Sequence, residues 1–370
     1  MACSAAIVRP IGRTDPGILN CCIHPNALTA VTWGGTLRGM ASAFIIGGTG
    51  QIGIAVARRL AEEGWAVRLG SRTPPPAEGP WQHVPFDRSA PDALKTAIGD
   101  GADLLMDCIA FDEADADGLL SAQASVGHII AVSSASVYRD EQGRTLDEAG
   151  ERGFPRLPVP IREDQPTVDP GPGTYSTRKA AMERRLLDRA QCRATILRPA
   201  AIHGPYSKHA REWWFVRRLL DGRQRIPLAY GGRSRFQTTS VAAIAEAVVW
   251  AVAGDRPPIL NVADADAPTA AEIGRAIMAA MGRSAEIVGL SDEPYPPSAG
   301  MSPWSVAGPF VCSSLAPNAG TYAQTVRDAV IWLTEATRGR DWRSVLPQLA
   351  AYPWDLFDYE GEDRVLSAAR

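Results

Sequence analysis

Tyr175 and Lys179 stand four residues apart in GTYSTRKAAMERRLL, a segment whose pattern predicts a helix. That spacing puts both side chains on one helix face, with the ammonium beneath the phenol ring. A free phenol, with a pKa near 10, is a poor acid or base at neutral pH. A cation roughly 5 Å away, at an effective dielectric of about 20, favours the phenolate by about 3 kcal/mol. Such a pair is a proton-transfer device for reducing a carbonyl or oxidising an alcohol. Lys occurs only at 95, 179 and 208 among 38 basic side chains, so position 179 asks for a compact, tunable ammonium. Taken without its surroundings, the pair fits an ordinary amphipathic helix equally well.

A second constellation lies upstream. Gly47-Gly48-Thr49-Gly50-Gln51-Ile52-Gly53 follows the apolar run SAFIIG and opens a helical pattern over 51–63. Glycines there permit a tight turn and let backbone approach a pyrophosphate, whose charge meets the helix N-terminus. The end of the next strand selects the dinucleotide. An NAD site places a carboxylate there, about 20 residues past the glycines. Here the segment is Val67-Arg68-Leu69-Gly70-Ser71-Arg72-Thr73, without an acid, and Ser71 with Arg72 suits a 2′-phosphate. NADP is therefore preferred over NAD, a surface-exposed Arg72 being the other reading. Asp87 stands where it accepts from an adenine amine or caps a helix. Ser133-Ser134-Ala135-Ser136-Val137-Tyr138 closes the fifth strand, and a hydroxyl there can bond a substrate carbonyl.

The elements that must position these groups alternate. Strands are predicted at 42–47, 65–69, 82–86, 103–109, 128–133, 194–197 and 259–262. Helices are predicted at 51–63, 91–98, 114–125, 175 onward, 212–220, 241–253, 269–281 and near 321–337. Strands alternating with helices give an α/β fold, a Rossmann-type doubly wound parallel sheet with a smaller C-terminal substrate-binding subdomain. The expected division is 41–204, completed by about 238–264, for the dinucleotide domain, and 205–237 with 265–370 for substrate. Residues 1–40, with scattered Pro and Gly and no periodicity, read as a disordered extension or a start assigned too early.

Bulk properties narrow the partners to a small molecule. A net charge of −3 and a pI near 6.0 give no electrostatic reason for nucleic acid. No apolar run approaches the ~20 residues that cross a bilayer. The six Cys and five His lack metal-site spacing, so no metal is expected, and a reducing, cytoplasmic setting follows.

Taken together, GGTGQIG, SSASVY, YSTRK, LRPAAIHGP and NVADADAPTAAEIGRAI resemble the extended short-chain dehydrogenase/reductase superfamily, especially its NAD-dependent epimerase/dehydratases. The resemblance spans about 42–340. It implies Ser134 as catalytic hydroxyl, Tyr175 as acid/base, and Lys179 as the group that lowers the phenol pKa and holds the nicotinamide ribose. It implies Gly47, Gly48, Gly50, Gln51, Ile52, Gly53, Ala110 and Pro199 along the cofactor, and a homodimer through the Tyr175 helix. Ser136, His203, Trp213 and Arg235 are the substrate candidates. A capping role suits His203 as well, core packing suits Trp213, and solvent suits Arg235. Ala135 and Ser136 stand where the 4,6-dehydratases have Asp and Glu, which disfavours dehydration. An oxidoreductase of secondary alcohols is expected, with a nucleotide-sugar epimerase and a non-catalytic NADP-binding regulator or scaffold as alternatives.

Overall fold

Seven parallel strands make one sheet in the order β3-β2-β1-β4-β5-β6-β10, in a computed structural model that describes residues 40–90, 92–291 and 296–368. The expectation for 1–40 falls, Met40 apart, outside the described residues. In chain order the first half runs β1 (Ser42–Ile46), α1 (Gln51–Glu62), β2 (Ala66–Ser71), β3 (Trp81–Pro85), α2 (Ala93–Ile98), β4 (Ala102–Asp107), α3 (Glu113–Leu120) and β5 (Val126–Val132). Then come α4 (Ala149–Arg152), α5 (Tyr175–Arg189), β6 (Arg193–Pro199), β7 (Ala201–His203) and α6 (Trp213–Leu220). β8 (Arg225–Leu228), β9 (Thr238–Ser240), α7 (Val241–Val252), β10 (Ile259–Val262), α8 (Ala270–Met281) and β11 (Glu286–Gly289) follow. The tail carries α9 (Tyr322–Thr325), α10 (Arg327–Ala336), α11 (Trp342–Val345), α12 (Pro347–Ala350) and α13 (Tyr359–Ala368).

The central strands are apolar throughout because helices cover both faces. α1 and α7 pack on one side, with Ile45, Leu104, Ile130 and Val248 in that core. α3 and α5 cover the other, over Phe44, Leu105, Ile129 and Met182. Register aligns the carboxyl ends: Ile46 pairs with Gly70 and Asp107, Asp107 with Ala131, and Val132 with Leu197. Residues that follow β1, β4, β5 and β6 therefore share one edge. The order reverses between β1 and β4, the place where doubly wound sheets bind ligands.

A separate apolar cluster joins α6, α8 and the tail through Trp213, Trp214, Phe215, Ile273, Trp304, Tyr322, Leu333 and Trp342. Fully buried Arg218 ion-pairs with Glu362 of α13 and donates to the Leu356 carbonyl at 2.7 Å, tying the tail to α6. Sequence periodicity did not foresee the two small parallel pairs β7–β9 and β8–β11, whose strands are only three or four residues long. It also treated 321–337 as one helix, which Val326 divides into α9 and α10. Among the described residues no helix is long and apolar enough to cross a membrane, and no cluster of three potential metal ligands occurs.

Candidate active site

Thr174 caps α5 and sets where the helix begins. Its hydroxyl accepts from Thr177 N at 3.3 Å while its own N–H donates to the Thr177 hydroxyl at 2.8 Å, a reciprocal cap. Tyr175 thus occupies the first helical position and Lys179 lies one turn further on. Buried Ser176 locks this end of the helix in place. Its hydroxyl donates to the Ser136 carbonyl at 2.9 Å, and its N–H donates to Asp147 Oδ2 at 2.7 Å. The helix start is thereby tied to the serine turn after β5.

That turn presents Ser134. Its Oγ accepts from Ser136 N at 3.1 Å, and its hydroxyl lies near the Tyr175 phenol on the same cavity wall. The Lys179 ammonium donates to the carbonyls of Ala110 (2.5 Å) and Val132 (3.0 Å), which follow β4 and end β5. It lies 5.8 Å from the centre of the Tyr175 ring. The three expected catalytic side chains therefore converge at the carboxyl edge of the sheet.

Their electrostatics correct one expectation. Tyr175 is 46% exposed as a residue, yet burial around its hydroxyl moves the phenol pKa upward; Ser134 and Arg211 oppose that, and Asp147 adds to it. Lys179, aimed at two carbonyls, is not what sets the phenol. The ammonium itself is pulled down to about 8 by burial, with Asp107, Glu183 and Asp115 opposing.

Two cavities meet here, with Ser207 on the wall of both. The larger, about 880 Å³, runs from Gly47, Thr49 and Gly50 past Ser71, Arg72 and Asp87. Gly47 has φ +69°, a conformation L side chains rarely adopt, and its carbonyl accepts from Gly50 N at 3.0 Å. A Cβ on Gly53 would stand 2.4 Å from the Gly48 Cα, so glycine there is what lets α1 pack against the turn. Ile52 is buried in the core behind it. Arg72 is exposed, and Ser71 Oγ is engaged by His83 (3.1 Å) and the Thr73 carbonyl (2.7 Å). Asp87 Oδ1 accepts from both the N–H and hydroxyl of Ser89, which holds this carboxyl below its usual range.

The second cavity, about 380 Å³, is bordered by Tyr175, Ser134, Ser136, Gln51 and Pro199. Gln51 Oε1 and Ser133 Oγ are buried there without a protein partner, unanswered polar atoms that face a ligand space. Sequence reasoning missed several of its walls: His209, Arg211, Phe310 and, from the tail, Gln348. Arg211 and His209 follow the LRPAAIHGP segment closely, which was the available signal; nothing local marked Gln348.

Three substrate candidates lie elsewhere. Side chains alternate along a strand. Ile202 of β7 faces the cavity, so His203 faces the core, where Nε2 bonds Asp264 at 2.8 Å and the ring packs on Tyr322. Phe236 likewise lines the cavity while Arg235 points out, donating to the Ala267 carbonyl at 3.0 Å. Trp213 is 2% exposed and belongs to the α6 core beside Trp342. Ser136 alone of the four borders the cavity.

A sequence profile described as the NAD dependent epimerase/dehydratase family matches residues 43–263. Among solved structures, the chain is similar to the Bordetella bronchiseptica enzyme WbmH in complex with NAD+, at 20% identity and TM-score 0.60. That match covers 80% of this chain and 99% of the other. A UDP-N-acetylglucosamine 4-epimerase from Methanobrevibacter ruminantium, in complex with UDP-N-acetylmuramic acid, gives 17% and 0.61 over the same shares. A dTDP-glucose 4,6-dehydratase from Bacillus anthracis, in complex with NAD, gives 15% and 0.59 over 81% and 98%. At these identities the likeness is one of fold. A search of curated proteins finds no sequence match.

Proposed function

The chain belongs to the NAD dependent epimerase/dehydratase family, and from that premise we propose that it is an oxidoreductase interconverting a secondary alcohol and its ketone. The carrying observation is the convergence of Ser134, Tyr175 and Lys179 beside the glycine turn at one sheet edge. A nicotinamide bound along that turn supplies or accepts the hydride.

The chain's own groups handle the proton. With its pKa raised, the Tyr175 phenol is protonated at neutral pH and ready to donate to a carbonyl oxygen. Ser134 Oγ accepts from Ser136 N, and its one hydrogen, directed toward the Tyr175 oxygen, can turn to orient a carbonyl oxygen placed between them. Two of the three Lys179 protons go to Ala110 and Val132, leaving one for a ribose hydroxyl. This protonation pattern favours the reducing direction.

The residues fit a dinucleotide. Gly47, Gly48, Gly50 and Gly53 would give the close backbone approach, Gln51 and Ile52 open the helix, and Ala110 and Pro199 would hold the nicotinamide end. Asp87 suits the adenine amine, and exposed Arg72 suits a 2′-phosphate, which is the reason to prefer NADP; Ser71 would join it by turning its hydroxyl from the Thr73 carbonyl. The division into a dinucleotide domain and a substrate subdomain belongs to the same proposal. The α6–α8–tail core supports it, since that core is separate from the sheet's.

Titrating NADPH and NADH by fluorescence and then assaying Tyr175→Phe tests the reading. Turnover that survives the substitution rejects Tyr175 as acid/base. An epimerase that keeps its cofactor would show product without net change in nicotinamide absorbance.

A further inference from the structure

We propose that this site takes a carboxylate-bearing substrate, an oxo acid or the corresponding hydroxy acid, whose carboxylate pairs with Arg211. The inference rests on the reading of Tyr175 as the acid/base and adds the class of molecule presented to it.

Arg211 is, among the described residues, the one permanently charged side chain bordering the 380 Å³ cavity. Among the described residues no Asp or Glu lines it, and the other polar walls, which include Ser134, Ser136, Ser207, Gln51 and Gln348, are uncharged. His209 is neutral too, its pKa lowered to about 4 by burial with Arg211 adding to the effect. Among the described residues no carboxylate comes within ion-pair distance of Arg211. The adjacent Glu212 turns into the core, where Tyr322 donates to its Oε1 at 3.3 Å. The Arg211 guanidinium instead sits 5.7 Å from the centre of the Trp304 ring.

The half-buried Arg211 guanidinium has no carboxylate in ion-pair contact, and a partly desolvated cation of that kind favours an anion arriving at this wall. Its planar fork matches a carboxylate through two parallel hydrogen bonds. One cation answers one anionic group. A nucleoside diphosphate brings about two negative charges to a wall that offers no second cation. One part of the wall is apolar, with Phe236 and Phe310 stacked at 4.9 Å and Ile202 and Leu146 also on the cavity. That suits an aliphatic body between carboxylate and carbonyl. In the reaction the carbonyl carbon gains the nicotinamide hydride and its oxygen gains the Tyr175 proton. The carboxylate leaves as it arrived.

The test uses straight-chain oxo acids of increasing length and their methyl esters, with the NADPH-loaded full-length protein. The acid is expected to exceed its ester about 100-fold in kcat/KM. In Arg211→Leu that preference collapses, and Arg211→Lys keeps part of it. Equal use of acid and ester by the wild type, or a preference that survives Arg211→Leu, overturns the proposal. Tryptophan-fluorescence titrations of the same probes, with UDP and inorganic phosphate as further arms, decide the matter without turnover. Oxo-acid binding should persist in Tyr175→Phe and disappear in Arg211→Leu. Tighter binding of UDP or phosphate than of any acid overturns it. Acids bound through Arg211 but never reduced would defeat the chemical reading alone. Tyr175-dependent reduction of neutral ketones without acid binding would defeat the carboxylate alone.

Discussion

Replacing Lys179 by Met removes a buried ammonium while keeping an unbranched chain of similar length. Lys179 is 6% exposed, and burial takes its pKa from 10.5 to about 8. At 1.36 kcal/mol per pKa unit, keeping the charge in the folded state costs on the order of 3 kcal/mol. Below about pH 8 both folded and unfolded chains hold the proton, and the full cost applies. Between about 8 and 10.5 the unfolded chain keeps a proton the folded chain has released, so stability from this group rises with pH. Above 10.5 the cost is gone. Urea denaturation of wild type and Lys179→Met across this range should therefore give curves that diverge, the wild type gaining about 3 kcal/mol relative to the variant between pH 7.5 and 10.5. At pH 7 the variant escapes the charge cost but leaves the Ala110 and Val132 carbonyls without a donor, each worth about 1–3 kcal/mol. The two effects nearly offset, so the variant folds while carbonyl reduction falls at least about 100-fold. Parallel denaturation curves would show that the ammonium is not desolvated. Turnover retained within about threefold would show that it does not serve the phenol or the cofactor.

Tyr175→Phe should lower kcat by about 10²–10⁴-fold with nucleotide affinity unchanged, the range expected for losing a general acid; stopped-flow reduction and NADPH titration read both. Arg72→Ala should raise the KM for NADPH about tenfold and leave that for NADH alone, whereas equal shifts would remove the 2′-phosphate from the argument. Glu183→Gln breaks a buried pair in which Arg198 Nη2 lies 2.5 Å from Glu183 Oε2 while Arg198 Nη1 bonds the Tyr138 hydroxyl at 3.1 Å. It should cost about 3–5 kcal/mol in urea denaturation, and a loss under about 1 would contradict the burial argument. Gly53→Ala drives a methyl into the Gly48 backbone, so a clear fall in thermal stability together with weakened nucleotide binding is expected; calorimetry with and without NADPH separates the two.

Several features were legible in the sequence because they depend on neighbours along the chain. Apolar runs of strand length between helical patterns gave the seven-stranded order its elements, and Thr269 marked the start of α8, where the structure adds the reciprocal bond from Glu272. His203 and Arg235 were misplaced for a specific reason. Each sits beside a residue that does line the cavity, and in a three-residue strand such as β7, or the lone bridge at Phe236, nothing local says which face is inward. Trp213 was read with core packing as its other option, and packing against Trp342 decided it.

Residue types and their spacing determined the alternating architecture, the glycine turn, and the placing of Tyr175 and Lys179 on one helix face, since these follow from helix and strand periods over a few residues. Only the tertiary structure decided that the Lys179 ammonium turns to two backbone carbonyls, that the phenol is raised rather than lowered, and that Arg211 meets Gln348 at one cavity. Desolvation and charge pairing sum over every group brought near, however distant in the chain, so no local pattern records them.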